Sequence, residues 1–79
     1  MSERLVALAD DAVLIIEQRK DKVRLIETWP DGFTADTWHP TIDDAREQAA
    51  QWWSPRISEW YTVPAQIADP VTFARQRVS

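Results

Sequence analysis

The chain predicts an α+β fold. An antiparallel sheet of four to five strands would carry a main helix (41–53) on one face and end in a short C-terminal helix, in the order ββββ-α-β-α. Three observations predict this. Short apolar or alternating runs bounded by turn residues occupy the chain as far as Trp38. "PTIDDAREQAAQWW" then shows helical periodicity behind a capping residue. Finally, "ADPVTFARQRVS" opens on an Asp-Pro pair and carries arginines near its end, as a short helix does.

The first strands lie in "RLVALADDAVLIIEQRKDKVRLIETW". Leu5–Ala9 and Ala12–Glu17 flank Asp10-Asp11, a connection of hairpin length. Val13, Leu14, Ile15 and Ile16 run without alternation, which suits a central strand covered on both faces or partly so. The charged turn Arg19-Lys20-Asp21 leads into Lys22–Trp29. There Val23 and Leu25 share one face, and Arg24, Ile26 and Thr28 the other. "WPDGF" is the clearest turn, because proline presets φ and Gly32, the chain's only glycine, takes positive φ without steric cost. A fourth strand, Phe33–Trp38, sets Phe33, Ala35 and Thr37 against Thr34, Asp36 and Trp38, and His39-Pro40 stops it.

In the helix, Thr41 caps and Asp44 completes a capping-box spacing, while Asp43 and Asp44 suit the positive end of the dipole. Ile42, Ala45, Ala49 and Trp53 form one stripe, with Trp52 at its border. The alanines would let the backbone lie close to the sheet, and Ser54-Pro55 ends the helix. "ISEWYTVP" predicts a fifth strand; alternatively Ser54 and Pro55 start a short helical turn and delay the strand to about Glu59, so that its later half is a strand in either case. Trp60 and Trp53 could meet across the connection. In the last segment Asp69 caps, Pro70 takes the first helical position, and Phe73, Ala74 and Val78 make an apolar edge that docks at the sheet's edge.

Seventy-nine residues predict a single small domain over 1–79. With no cysteine, thiolate chemistry and disulfides are excluded. The start lacks a basic, apolar leader and no run approaches a membrane span, so the expectation is a soluble, cytoplasmic protein. The net charge of −4 argues against binding driven by phosphate neutralisation. Charge is uneven: residues 27–47 hold six acids against Arg46 alone.

No catalytic, cofactor or metal site is expected. The single histidine, His39, with Asp36 and Asp43, permits a metal- or His-dependent hydrolase-like alternative, but His39-Pro40 also reads as a strand-to-helix connection and Asp43 already has a capping role. The basic cluster Arg19, Lys20, Lys22 and Arg24 permits weak single-stranded nucleic-acid binding through that hairpin as another alternative.

Five tryptophans amount to on the order of 1,000 Å² of apolar surface. Three of them, with the only tyrosine, lie in "AAQWWSPRISEWY". Trp53 belongs to the core by helical phase, and Trp29 packs on a strand end. Trp38 and Trp52 fit least well, because Trp38 shares a face with Thr34 and Asp36, and Trp52 borders the stripe. One helix and a short second one leave part of the sheet wet, and an apolar patch there marks a contact site. The expected function is therefore a small non-catalytic binding or accessory protein. It would act through an aromatic–acidic surface of Trp38, Asp36, Trp52 and Glu27, toward a protein partner or itself.

Two short stretches bear a family likeness. "ETWPDGF" with the later "WWSPR" resembles the MbtH-like proteins, which assist adenylation domains of peptide synthetases. "TIDDA" opening a helix after strands resembles HicB-type antitoxins. The first stretch lacks that family's asparagine-to-serine run, and the second has Trp-His-Pro-Thr in place of a glycine-rich strand-to-helix region. No residue role carries over from either.

Overall fold

A computed structural model describes residues 3–78, apart from the side chain of Val78, which the sequence places on the apolar edge of the last helix. Five strands form one antiparallel sheet: β1 (Arg4–Ala9), β2 (Ala12–Arg19), β3 (Lys22–Thr28), β4 (Thr34–His39) and β5 (Tyr61–Thr62). Their spatial order is β4-β3-β2-β1-β5. Helix α1 (Ile42–Trp53) follows β4, and α2 (Pro70–Val78) ends the described chain. The α+β architecture is the one that the sequence predicts.

Two-residue turns join the first three strands. Asp10 adopts φ 53 and Lys20 φ 44, the left-handed conformation that tight hairpin turns demand at their first position. The second turn is Lys20-Asp21 alone, so β2 extends to Arg19, which pairs with Lys22. In "WPDGF", Gly32 has φ 94 and its N–H donates to the Trp29 carbonyl at 3.0 Å. Phe33 lies in this turn rather than in β4. Its N–H donates to the Asp31 carboxylate at 3.0 Å, and its carbonyl accepts from Trp29 at 2.9 Å.

β2 explains the layering. Ala12 to Ile16 are all buried, so both faces of this strand must be covered. On one face Leu14 and Ile16 meet Ala9, Val23 and Leu25 beneath α1, whose Ala45 and Ala49 are fully buried. Trp53, Ile42, Leu5, Ile57 and Trp60 close the margins. At the start of α1, Thr41 Oγ1 accepts the Asp44 N–H at 3.1 Å. Only this half of the capping box forms, because the aspartate side chain is short for the return bond.

The opposite face differs from the sequence expectation. Helix α2 does not sit at the sheet's edge; it lies across β1 and β2. Ala74 is buried against Val6, Val13, Ile15 and Val63, with Val71, Phe73 and Ile67 packed around it. A nine-residue helix has little stability alone, and the bare second face of β2 is what recruits it. Two arginines hold the arrangement. Arg4 donates to the Pro64 and Ile67 carbonyls at 3.0 and 2.6 Å, and Arg75 donates to the Asp11 carbonyl at 3.0 Å.

The fifth strand takes the later start that the sequence leaves open: Ser54 and Pro55 form a turn, and regular pairing covers only Tyr61–Thr62. Ile57 makes an isolated bridge to Ala9. Ser58 then satisfies Leu8 on both sides, its Oγ accepting the Leu8 N–H at 2.9 Å and its N–H donating to the Leu8 carbonyl at 2.8 Å. A hydroxyl thus replaces a backbone acceptor, the ladder is interrupted, and regular pairing resumes only at Tyr61.

Two predictions follow from the packing. Ala49→Leu should lower stability by about 1–3 kcal/mol through overpacking, whereas Ala50→Leu on the exposed side should change it by less than about 0.5 kcal/mol, both read from urea midpoints. At α2, Asp69 accepts from the Thr72 hydroxyl at 2.6 Å and from the Thr72 and Val71 amides. The Thr72 hydroxyl bond, then the amide bonds, hold its carboxyl below the ordinary 3.8. A depressed folded value means that this stabilisation is complete above the ordinary pKa and is lost as pH falls through the folded one. The thermal midpoint of the wild type should therefore exceed that of Asp69→Ala near neutral pH, and the gap should narrow below pH 3.8.

Candidate functional site

The four residues that the sequence groups as a contact surface do not lie together. In β3, Glu27 shares the α1 face with Leu25, and its carboxylate accepts the Trp53 indole N–H at 2.8 Å. Glu27 therefore anchors a half-buried core tryptophan. Trp52 lies on the exposed side of α1 and is 49% exposed. Asp36 and Trp38 project from the other face of β4, and only these two remain neighbours.

The tryptophans divide by environment. Trp29, Trp53 and Trp60 are half-buried. The ring partner of Trp53 is Trp29 at 6.1 Å, not Trp60, and Trp29 also meets Phe33 at 5.2 Å. The Arg56 guanidinium caps Trp53 at 5.5 Å and pairs with Asp10. Trp38 stands apart at 54% exposure.

Strand register sets what surrounds Trp38. Alternation puts Arg19 of β2, Lys22 and Arg24 of β3, and Asp36 and Trp38 of β4 on one face, at the end away from the "WPDGF" turn. Lys22 Nζ lies 6.0 Å from the Trp38 ring centre, within cation–π range. Arg24 Nε donates to Asp36 at 2.7 Å, which neutralises that acid. Arg19 pairs with Glu17 at 3.1 Å. Two shallow clefts flank the indole. One of about 420 Å³ is lined by Arg19, Lys20, Asp21, Lys22 and Trp38, and another of about 380 Å³ by Asp21, Lys22, Trp38, His39 and Pro40. The surroundings of Trp38 are therefore aromatic and basic rather than aromatic and acidic. The basic residues of the hairpin and Trp38 were both visible in the sequence. Their juxtaposition required the β3–β4 register.

This surface stays open because α2 stops at β2. Thr34, Asp36 and Trp38 are all exposed, whereas Ala35, Thr37 and His39, on the α1 face, are half-buried. The same strand is an edge of the sheet. The Trp29–Phe33 bond at 2.9 Å fixes the phase of the β3–β4 ladder, so Ala35, Thr37 and His39 bond inward to β3. Thr34, Asp36 and Trp38 then direct their N–H and C=O groups outward, where they meet no partner among the described residues.

The hydrolase-like alternative divides across the sheet. His39 Nε2 lies 2.7 Å from Thr37 Oγ1 on the α1 face, while Asp36 is engaged by Arg24 on the other. Asp43 sits in the exposed first turn of α1. Among the described residues, no group of three His, Asp or Glu side chains is placed to hold a metal ion. No helix there is long and apolar enough to cross a membrane.

Truncation should separate the tryptophans. Trp53→Ala should cost about 3 kcal/mol or more, because it removes packing and leaves Glu27 without its indole donor. Trp38→Ala and Trp52→Ala should each cost less than about 1 kcal/mol in the same denaturation series. Comparison with known proteins found no family model, curated protein or solved structure that matches this chain.

Proposed function

We propose that this chain is a small, cytoplasmic, non-catalytic binding or accessory protein whose contact surface is the open end of the second sheet face, with Trp38 as its anchor. The observation that carries this reading is a large indole left 54% exposed beside an unpaired strand edge. Aromatic side chains with few rotatable bonds are favoured as binding anchors, and the flanking Lys22 and the Arg24–Asp36 pair form a polar rim. Nothing in the packing of the core requires an indole at this position, in contrast to Trp53.

The test compares Trp38→Ala with wild type. The variant should keep its amide spectrum and unfolding midpoint, while the wild-type Trp38 indole N–H exchanges with water faster than those of Trp29, Trp53 and Trp60. A Trp38→Ala protein as unstable as Trp53→Ala would make Trp38 a structural residue and remove the basis of the proposal.

The juxtaposition of Trp38 with Lys20 and Lys22 favours a second reading, stacking on a single-stranded nucleic acid. The net charge of −4 opposes it. Under this reading, an oligonucleotide at low salt should quench Trp38 fluorescence and salt should reverse the effect. Unchanged emission at low salt would dismiss it.

A further inference from the structure

We propose that the occupant of the β4 edge is a second copy of this chain, paired antiparallel about a two-fold axis so that the two sheets join into one. The inference rests on the contact-surface reading above and names the partner of that surface.

The two edges of the sheet differ. At the β5 end, β1 is closed by the returning chain: Leu8 bonds Ser58, Val6 pairs with Tyr61, and the Arg4 carbonyl accepts from Val63 at 2.9 Å. β5 itself is two residues long and leaves only Thr62 facing outward. The β4 end is open over six residues. Its register with β3 is continuous, and Thr34–His39 contains no proline, lysine or bulge, features that usually blunt an edge. Its one acid, Asp36, is paired with Arg24 on the sheet face rather than left as a free charge on the edge. With one open edge among the described residues, β4–β4 pairing satisfies both edges and ends there. The product is a closed, isologous dimer rather than a fibre. Ten strands lie within the range that open twisted sheets reach.

The side chains select the register. Centring the axis on Asp36 would set the two Asp36 carboxylates directly opposite each other, an unfavourable like-charge pair. Moving the axis to lie between the two Thr37 residues sets Asp36 opposite the second copy's Trp38 and near the Lys22 ammonium that lies 6.0 Å from that indole, while each Arg24 keeps the Asp36 of its own chain. On the α1 face this register brings Thr37 against Thr37 in a close, non-hydrogen-bonded pair, and threonine pairs are favourable there. Pro40, which has no N–H to offer, falls at the end of the shared ladder, so its missing donor costs little. The strand is thus complementary to itself: its acid meets the aromatic–basic group of its mate. The interface is small, so association should be weak and concentration-dependent.

The experiment is an amide-exchange and sedimentation series on the full chain from about 1 µM to about 1 mM, a range that brackets weak interfaces. The apparent mass should rise from one chain toward two. The Thr34, Asp36 and Trp38 amides should slow by about tenfold as dimer reaches nine-tenths, while the inward Ala35, Thr37 and His39 amides stay protected throughout. Because the chain has no cysteine, Thr37→Cys can cross-link only to its own mate, and mild oxidation should give a covalent dimer. A monomer at every concentration with fast outward amides overturns the second-copy inference and leaves the Trp38 surface for a foreign partner. Outward amides protected in a species of one-chain mass would mean that the chain covers its own edge, and would overturn both proposals. Protection together with two-chain mass at every concentration is the same dimer with higher affinity, and supports the inference. A dimer with unchanged outward amides and no Thr37→Cys cross-link would place the contact elsewhere and overturn the inference.

Discussion

The structure depends on the need to cover β2 on both faces. Five consecutive residues, Ala12 to Ile16, are buried, and a strand alternates its side chains, so neither face can be left to water. Each fully buried aliphatic side chain contributes about 1.5–3 kcal/mol by leaving water, and both sides of β2 carry such groups. One helix can satisfy only one side. The second helix must therefore dock on the other, although its nine residues would hold little structure alone.

How the two helices approach follows from their small residues. Ala45 and Ala49 bring the α1 backbone close to Leu14, Ile16 and Leu25, and Trp53 fills the wider space at the helix end. Ala74 does the same for α2 over Val13 and Ile15. Indole in the core is therefore peripheral: Trp29, Trp53 and Trp60 seal margins around an aliphatic centre. That geometry leaves Trp38 and Trp52 outside, and of the two only Trp38 stands on a sheet with free backbone groups. Contact surface and strand edge coincide because α2 covers β1 and β2 and extends no further.

Much of the fold was legible because it is encoded locally. Hairpin turns, the "WPDGF" reversal, the Thr41 and Asp69 caps and the stop at Ser54-Pro55 each depend on a few adjacent residues whose φ preferences or hydrogen bonds act at short range. What was not legible had non-local causes. "ISEWYTVP" left two starts open for its strand, and Ser58, which offers its hydroxyl to Leu8 fifty positions away, selects the later one. Glu27 was grouped with Trp38 from charge and proximity along the chain, yet pleating puts it on the opposite face, bonded to Trp53.

The sequence by itself determined which segments are strands and helices, where both helices begin, and that Trp38 shares a face with Asp36 rather than with the core stripe. Only the tertiary structure decided that α2 crosses the sheet instead of lying at its edge, that Asp36 is neutralised by Arg24, and that Trp38 meets Lys22. The physical reason is range. Dihedral preferences and capping act over about four residues. Which strands become edges, and which face a helix covers, depends on how all the buried surface is shared among elements far apart in the chain.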